Sequence, residues 1–265
     1  NAMNKDSYQL SYSLSHDIGK VRPVNEDAIF AFSAEIMKAN AVTQLGLFII
    51  ADGMGGHSNG EKASAIAVSK FSEDFYRTVY PKIIREENLP ADLNEDLTAI
   101  LGRTNEVIHR EYPGSGTTFS CLLIVGNQFR ILHIGDSRIY YLPAIGEASV
   151  LTKDHSLVQL MIDLGEITED EAKNHARRNV ILKSLGFEAN VEADLIEGEF
   201  EPGVRFLLCC DGVWSVVSDE IRGEILSSAD SIAVQTERLT AAANDAGGPD
   251  NISCILVKTE ESAKP

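Results

Sequence analysis

The sequence predicts an α+β fold, an α-β-β-α sandwich in which two packed antiparallel β-sheets are flanked by helices on both sides. Two observations support this fold class. About ten short segments rich in β-branched and aromatic residues follow one another with turn signals between them, as antiparallel strands do. Two pairs of amphipathic helical segments interrupt the strands, one in the first half of the chain and one near its end. With 265 residues and 44% hydrophobic content, the chain is long enough to bury a sizeable core.

We expect a single domain over residues 1–265, because no linker or repeat divides the chain. Residues 1–2 precede Met3 and resemble the remnant of an expression tag. The longest apolar runs are far shorter than a membrane-spanning helix and no signal peptide is recognisable, so we expect a soluble, cytoplasmic protein without membrane contact. The net charge of −17 argues against nucleic acid as a partner, because phosphate backbones require a basic surface.

The elements of the first half follow from their hydrophobic period. Alternating or continuous apolar runs predict strands, and apolar residues at steps of three and four predict helices. The predicted strands cover residues 9–16, 28–32 and 46–51, and the predicted helices cover residues 60–79 and 92–111.

The second half begins with three strands that we interpret as an antiparallel meander. A charged, helical excursion over residues 154–186 follows, with a capping box at Thr168 and Glu171, and we interpret it as an insertion or lid. Two more strands, two helices and a last strand complete the chain. The predicted strands cover residues 114–125, 127–134, 137–142, 191–200, 205–210 and 252–258, and the helices cover residues 219–227 and 231–246.

Aspartates mark the ends of three predicted strands. Apolar runs stop at Asp52 and at Asp211, and Asp250 comes directly before the last apolar run. If the last strand is antiparallel to the other two, all three carboxylates lie at one edge of the sheet. Asp136 follows a glycine between two strands, where a sharp bend or bulge would aim its carboxylate inward.

Such a cluster would need bound cations. Four carboxylates roughly 5 Å apart repel one another by about 3 kcal/mol per pair at an effective dielectric of 20, and the sum rivals the whole stability of a domain, ~5–15 kcal/mol. Oxygen ligands suit Mg²⁺ or Mn²⁺. The four cysteines lie in apolar runs without metal spacing, so we expect buried thiols. The loop that contains Arg22, Glu26 and Asp27 would by itself be a solvated turn, but Arg22 could bind phosphate oxygens.

Eight motifs resemble, in order, those of the metal-dependent Ser/Thr protein phosphatase family of type 2C in its bacterial form. They span residues 22–253 and are RPVNED, ADGMGGHSNGEKAS, GSGTTF, HIGDSR, TKDHS, RRNVILKSLG, CDGVW and GPDNIS. The resemblance implies hydrolysis of phosphoserine and phosphothreonine by attack of a metal-bridging water. It also implies two Mn²⁺ or Mg²⁺ ions, with a third ion in bacterial members.

The resemblance further assigns roles by position. Those roles are Asp52 bridging the two metals, the Gly53 carbonyl binding one, Asp211 and Asp250 binding the other, Asp136 with Asp211 binding the third ion, Glu26 and Asp27 holding metal or metal-bound water, and Arg22 binding the substrate phosphate.

One position departs from the eukaryotic pattern. Met54 stands where those relatives place a histidine proposed as the acid for the leaving group, and we do not transfer that role to His57. The leaving-group acid is therefore unassigned, with a metal-bound water as the preferred candidate. We interpret His155, Arg177 and Arg178 as salt-bridged surface residues, with substrate guidance as the alternative.

The implied partners are phosphorylated Ser/Thr proteins and a cognate Ser/Thr kinase, and we expect a monomer. Two other functions stay open. A catalytically silent, phosphoprotein-binding regulatory module would be marked by loss of a metal ligand, and no ligand is missing. A hydrolase of small phosphate esters would use the same chemistry at phosphorus, so the sequence does not distinguish it from a protein phosphatase.

Overall fold

The computed structural model describes residues 8–38, 41–55, 59–85 and 89–261. Over these residues the chain forms eleven strands: β1 (Tyr8–Asp17), β2 (Asp27–Lys38), β3 (Ala41–Met54), β4 (Gly116–Thr117), β5 (Phe119–Val125), β6 (Gln128–Ile134), β7 (Arg138–Leu142), β8 (Ser149–Val150), β9 (Asp194–Glu199), β10 (Arg205–Cys209) and β11 (Ile252–Glu261).

Eight α-helices accompany the strands in the same part of the chain, and a π-helical turn, Phe75–Val79, joins the first two. The helices are α1 (Gly60–Asp74), α2 (Tyr80–Arg85), α3 (Leu93–Glu111), α4 (Leu157–Asp163), α5 (Glu169–Lys173), α6 (Asp211–Trp214), α7 (Asp219–Ser227) and α8 (Ile232–Asp245). None of the helices among the described residues combines the length and apolar character that a membrane span requires.

The strands form two sheets in which every neighbouring pair is antiparallel. One sheet has the order β1-β11-β10-β7-β8, and the other has the order β2-β3-β5-β6-β9 with β4 paired to β3. Helices α1 and α3 cover the second sheet, and α8 packs on β1 and β11 of the first. The predicted α+β sandwich of two antiparallel sheets with flanking helices is therefore confirmed.

Strand β3 shows why its sequence is a continuous apolar run. Side chains alternate between the two faces of a strand. Phe48 and Ile50 belong to the core that includes the facing sheet, whereas Leu47 and Ile49 belong to the core under α1 and α3. From Leu45 to Ala51 both faces of the strand are buried, so this stretch carries no polar residue. The strand thereby reaches the end of the sandwich with Asp52 as its first charged residue.

Two predicted features of the strands are wrong. The meander does not continue into β7, because β6 pairs with β5 and β9 while β7 pairs with β10 and β8 of the other sheet. The bend at Gly135 carries the chain between the sheets. Asp52 is also not at a strand end, since β3 continues through Gly53 and Met54, which pair with β4.

Residues 154–186, the lid segment, leave and rejoin the body at a narrow neck. The Leu157 N–H donates to the Val180 carbonyl at 2.8 Å, and the Leu182 N–H donates to the His155 carbonyl at 2.7 Å. Helices α4 and α5 lie between these contacts. The predicted capping box at Thr168 is present and begins α5. No residue of α4 is buried, so its apolar side chains stay partly or fully exposed.

Candidate active site

Two aspartates face each other across the β2–β3 pair. Asp27 and Asp52 are directly opposed, which places their side chains on the same face of the sheet. The backbone of Asp52 is held by Thr118: the Asp52 N–H donates to Thr118 Oγ1 at 2.9 Å, and the Thr118 N–H donates to the Asp52 carbonyl at 2.8 Å. The Asp27 N–H donates to Asn25 Oδ1 at 3.1 Å. These hydrogen bonds use the backbone groups of Asp27 and Asp52 and leave the two carboxylates out.

Two further aspartates come from the other sheet. Because β10 and β11 are antiparallel, with Cys209 opposite Cys254, the residues after β10 and before β11 lie at the same end. These residues include Asp211 and Asp250. The expected antiparallel arrangement therefore holds for these two, but Asp52 lies in the facing sheet. The three carboxylates meet at one end of the sandwich rather than at one edge of a single sheet.

Asp136 reaches this region from the bend between the sheets. Gly135, which precedes it, has a φ of +103°, a conformation that favours glycine. The Asp136 carbonyl accepts a hydrogen bond from Trp214 Nε1 at 2.9 Å, and the residue is only 5% exposed. The bend inferred from the sequence is thus present, with the aspartate turned into the interior. We call Asp27, Asp52, Asp136, Asp211 and Asp250 the acidic cluster.

Burial raises the pKa values of four cluster members, and neighbouring carboxylates raise them further. Burial raises the pKa of Asp27 to about 7 and that of Asp211 to about 6, with the charge of Asp250 adding to both shifts. The pKa of Asp52 lies well above its ordinary value through burial and then the charges of Asp27 and Asp211. For Asp136, burial and then the Asp211 charge act in the same direction. Ionised carboxylates here are costly without a compensating positive charge.

Several oxygens of the cluster have no hydrogen-bond donor among the described residues. Both carboxylate oxygens of Asp27 and Oδ1 of Asp211 are buried in this way. Ser253 and Cys210 lie near enough to Asp27 to favour its charged form, but burial outweighs them. Buried acceptors without donors, grouped at one place, fit divalent cations, which bind carboxylate oxygens. The residues of the cluster therefore fit an oxygen-ligated metal centre.

Cys210 lies against the same centre. Its sulfur comes within 4.8 Å of carboxylate oxygens of Asp27 and Asp52. The thiol is already hydrogen-bonded, since Sγ donates to the Asn251 carbonyl at 3.3 Å and accepts from the Ser253 N–H at 3.2 Å. Burial also raises the pKa of Cys210 well above its ordinary value. A protonated thiol is a poor ligand, so oxygen remains the donor type of this site.

Gly53 allows two backbones to touch beside the cluster. A Cβ at this position would lie 2.2 Å from the Gly60 carbonyl oxygen at the start of α1. The Gly53 N–H donates to the Glu26 carbonyl at 3.0 Å, and the Ser64 hydroxyl donates to the same carbonyl. Position 53 therefore requires glycine because two backbone segments approach each other closely here. At this point β3, α1 and the Glu26 loop are in contact.

Arg22 and Glu26 lie at the mouth of the site. Arg22 Nη2 donates to Asp250 Oδ2 at 2.7 Å, and the Arg22 side chain is 46% exposed. This pairing, which the sequence does not predict, raises the pKa of Arg22. Burial raises the pKa of Glu26, and the charges that act on it are those of Arg22, Asp250 and Glu61. Asp27 thus faces the interior of the cluster, whereas its neighbour Glu26 faces the mouth.

Asn251 is a supporting residue that the sequence analysis did not single out. Its Oδ1 accepts the Glu26 N–H at 2.8 Å, and its Nδ2 donates to the carbonyls of Ile18 and Val24, each at 3.0 Å. The side chain is buried and fixes the loop that carries Arg22 and Glu26. The available signal was the asparagine directly after Asp250 at the start of a strand.

The remaining sequence interpretations have mixed outcomes. His57 lies outside the described residues. His155 Nε2 lies 3.1 Å from Asp194 Oδ2, but burial lowers the pKa of His155 and favours a neutral ring, so this contact is a hydrogen bond. The His155 side chain is only 11% exposed, so the surface assignment is wrong. Arg177 and Arg178 are exposed and form no salt bridge with the part of the chain that the structure describes.

Met54 lines a cavity beside the acidic cluster. The cavity has a volume of about 390 Å³. Ile181 and Leu182 of the lid segment form part of its wall, together with Phe187 just after that segment. Since Met54 lies two residues after Asp52 on the same strand, the cavity opens close to the cluster. Its wall combines these apolar side chains with the charged residues Lys183, Glu188 and Glu192.

The family profile described as Protein phosphatase 2C matches residues 23–256, most of the chain. The chain belongs to the protein phosphatase 2C family. Its fold and family are those of metal-dependent serine/threonine phosphatase domains. This phosphatase 2C chain is 35% identical over 254 residues to the serine/threonine protein phosphatase PstP of Mycobacterium tuberculosis, an alignment that covers 93% of this chain and 44% of PstP. The chain thus spans about half the length of that relative.

Shorter relatives and solved structures match over nearly their whole length. The serine/threonine phosphatase stp of Listeria monocytogenes is 32% identical over 253 residues, covering 94% of this chain and 95% of stp. The crystal structure of the PstP catalytic domain in complex with two manganese ions superposes with a TM-score of 0.77 at 32% identity, covering 95% of this chain and 98% of that one. The phosphatase 2C chain therefore shares the complete domain of these proteins.

Proposed function

We propose that this chain is a serine/threonine phosphoprotein phosphatase that works with two Mn²⁺ or Mg²⁺ ions at the acidic cluster. The observation that carries the proposal is the set of buried oxygens on Asp27 and Asp211, at the point where both sheets end, that receive no hydrogen bond from any described residue. In a phosphatase 2C domain, this arrangement supports a centre for divalent cations. The two manganese ions named for the PstP catalytic domain support the same chemistry here.

The residues that would hold the ions follow from their positions. Asp52, the Gly53 carbonyl, Asp211 and Asp250 would hold two ions, and Asp136 with Asp211 would hold a third. When bound, such ions polarise phosphoryl oxygens and lower the pKa of water. The fit is supported by the raised pKa values of Asp52, Asp136 and Asp211, because a bound cation favours the charged form that burial disfavours.

Arg22 orients the substrate in this proposal. Its guanidinium is half exposed at the mouth, and its planar donors match phosphate oxygens. The bond to Asp250 holds the side chain over the cluster, so the phosphoryl group would arrive between Arg22 and the carboxylates. Glu26 lies beside Arg22 and would receive hydrogen bonds from water at the mouth.

Proton transfer falls to water. Asp27 would hold metal or metal-bound water, because both of its buried carboxylate oxygens are without a donor among the described residues. Among the described residues, no histidine hydrogen-bonds a carboxylate of the acidic cluster. We therefore propose that the leaving oxygen takes its proton from water.

The proposal also covers how the chain acts as a whole. Residues 1–265 would act as one domain, with residues 154–186 as a lid beside the substrate. The chain would work as a cytoplasmic monomer against a cognate Ser/Thr kinase. The names of the relatives support proteins as substrates rather than small phosphate esters. A silent regulatory module is disfavoured, since every proposed metal ligand is present.

One experiment tests this function. Purified protein is assayed with phosphoserine, phosphothreonine and phosphotyrosine peptides and with p-nitrophenyl phosphate, each with Mn²⁺ and with excess EDTA. We expect turnover of the phosphoserine and phosphothreonine peptides that requires Mn²⁺. Full activity in EDTA would contradict the metal centre. A higher kcat/KM for the small ester than for every peptide would favour the small-ester hydrolase.

A further inference from the structure

His155 binds both backbone polar groups of Gly135. The Gly135 N–H donates to the ring Nδ1 of His155 at 3.1 Å, and the Gly135 carbonyl accepts the backbone N–H of His155 at 2.7 Å. His155 therefore holds both backbone hydrogen-bonding groups of Gly135, which lies 20 positions earlier in the chain. These bonds fix the orientation of the peptide units on either side of Gly135.

The peptide held in this way determines where Asp136 points. Gly135 packs so closely on Thr118 that a Cβ would lie 2.6 Å from Thr118 Cγ2, and its φ is +103°. Thr118 in turn binds the backbone of Asp52 on both its N–H and its carbonyl side. The bend is thus fixed between Thr118 on one side and His155 on the other. A rotation at Gly135 would move the Asp136 carboxylate relative to Asp52.

The His155 ring is held in a single tautomer. Since Nδ1 accepts the Gly135 N–H, the ring proton is on Nε2, which faces Asp194 Oδ2 at 3.1 Å. Burial lowers the pKa of His155, which favours the neutral ring that this acceptor role requires. The ring also packs on the His133 ring, with centroids 5.1 Å apart. A carboxylate that accepts one ring N–H fixes the tautomer and ring orientation of metal-binding histidines in the same way.

His155 also belongs to the neck of the lid segment. Its carbonyl accepts the Leu182 N–H at 2.7 Å, and Leu182 lines the cavity beside Met54. The residue before it, Asp154, binds the Arg138 guanidinium with two hydrogen bonds of 3.0 and 2.8 Å. The same short segment therefore contacts the lid, the Gly135 bend and β7.

We infer that His155 is a positioning residue for the phosphatase reaction: its Nδ1 orients the Gly135 peptide so that the Asp136 carboxylate faces Asp52 and Asp211, and Asp194 holds the tautomer that this requires. The inference rests on the proposed function for its catalytic consequence. Its structural part, the bond from Gly135 to His155, does not depend on that function.

Paired substitutions at position 155 separate positioning from general stability. His155→Asn keeps a side-chain oxygen near the place of Nδ1, so it should still accept the Gly135 N–H. His155→Gln places its amide near Nε2 and should lose that bond while keeping contact with Asp194. At saturating Mn²⁺ with a phosphopeptide, we expect His155→Gln to lose kcat on the order of 10- to 100-fold, with KM little changed, and His155→Asn to retain most of it.

Asp194 supplies a second test in case the histidine variants fold poorly. Its side chain is 40% exposed, so substitution should be tolerated. Asp194→Ala removes the acceptor for Nε2–H and should lower kcat in the same direction. Asp194→Asn keeps an amide oxygen for that proton and should restore kcat. His109→Asn is the matched control, because His109 Nδ1 contacts the Gly186 carbonyl at a similar 3.1 Å, away from the Gly135 bend.

Amide hydrogen exchange at Gly135 provides a readout that is independent of activity. The Gly135 amide should be protected in the wild type, His155→Asn and His109→Asn, and should exchange faster in His155→Gln. Equal loss of kcat in His155→Asn and His155→Gln, or unchanged Gly135 protection in His155→Gln, would overturn the inference. A wild type without Mn²⁺-dependent activity would refute the proposed function, and the exchange rates would still decide whether His155 holds the bend.

Discussion

Removal of the Asp27 charge should stabilise the metal-free protein at alkaline pH. Both oxygens of this carboxylate are buried without a donor among the described residues, and its pKa rises from 3.8 to about 7, chiefly through burial. A shift of about 3 units at about 1.36 kcal/mol per unit corresponds to about 4 kcal/mol against the charged form. Asp27→Asn keeps the shape of the side chain and removes this cost.

The pH dependence of the effect follows from the direction of the shift. In the unfolded chain Asp27 loses its proton near pH 3.8, whereas in the folded protein it keeps the proton up to about pH 7. Between these values the folded state binds more protons, so stability falls as pH rises, and the full cost is present above pH 7. The wild-type penalty should be about 1.6 kcal/mol at pH 5 and about 4 kcal/mol at pH 8.

Urea denaturation in EDTA at pH 5 and pH 8 measures the difference. Asp27→Asn should gain stability over the wild type at pH 8, by up to about 4 kcal/mol, and gain clearly less at pH 5. Asp245→Asn, at an exposed position at the end of α8, is the control and should show no such pH dependence. With saturating Mn²⁺ the wild type should become the more stable protein, because ions that bind the folded state stabilise it. A less stable Asp27→Asn at pH 8 in EDTA would refute the reasoning.

The other predictions concern single positions around the cluster. Asp211→Asn should stay folded and lose nearly all Mn²⁺-dependent turnover, and near wild-type kcat at saturating Mn²⁺ would mean that the ions bind elsewhere. Arg22→Ala should raise KM for phosphopeptides about 10- to 100-fold without weakening Mn²⁺ binding, since a charge-assisted hydrogen bond contributes about 1.5–3 kcal/mol; an unchanged KM would exclude phosphate binding. Asp136→Ala should still bind two Mn²⁺ in calorimetry but lose kcat, whereas a less stable protein with unchanged kcat would exclude a catalytic role. Gly53→Ala should lower the melting temperature sharply, because its Cβ would overlap a backbone carbonyl of α1, while Gly102→Ala, with no atom within 4 Å, should stabilise α3 by up to about 1 kcal/mol; similar shifts would contradict the close-approach argument.

Elements with a strong local signal were predictable from the sequence. The alternation over residues 9–16 predicted β1, which spans Tyr8–Asp17. The helix predicted over residues 219–227 is α7, Asp219–Ser227, where the Ser218 side chain accepts the Ile221 N–H. Local patterns of this kind depend on side-chain period and capping, which act within a few residues.

Features that depend on distant pairing were not predictable. The run with Gly53 and Met54 has the composition of a turn, yet it stays in β3 because Thr117 and Gly116 pair with it. β7 follows β6 after three residues and still joins the other sheet, opposite β10. Neither choice leaves a mark in the local hydrophobic pattern. Both are determined by partners more than 60 residues away.

The acidic cluster was predictable from the sequence only in part. The strand-end pattern identified Asp211 and Asp250, the glycine before Asp136 indicated the bend that turns it inward, and the resemblance gave Asp27 its role. The supporting residues stayed hidden, because Asn251 and His155 act through hydrogen bonds to backbone groups of distant loops. A polar side chain that supports a site in this way has no characteristic spacing in the sequence.

Three supporting residues bind backbone groups of the aspartates and not their carboxylates. Thr118 binds the backbone of Asp52, Trp214 binds the carbonyl of Asp136, and Asn25 accepts the N–H of Asp27. These bonds fix the positions of the aspartates while leaving carboxylate oxygens available for cations. The backbone positions of the aspartates therefore do not depend on the charges of their carboxylates. An Asp→Asn change there should remove ion binding and repulsion together while the backbone, held by independent bonds, stays in place.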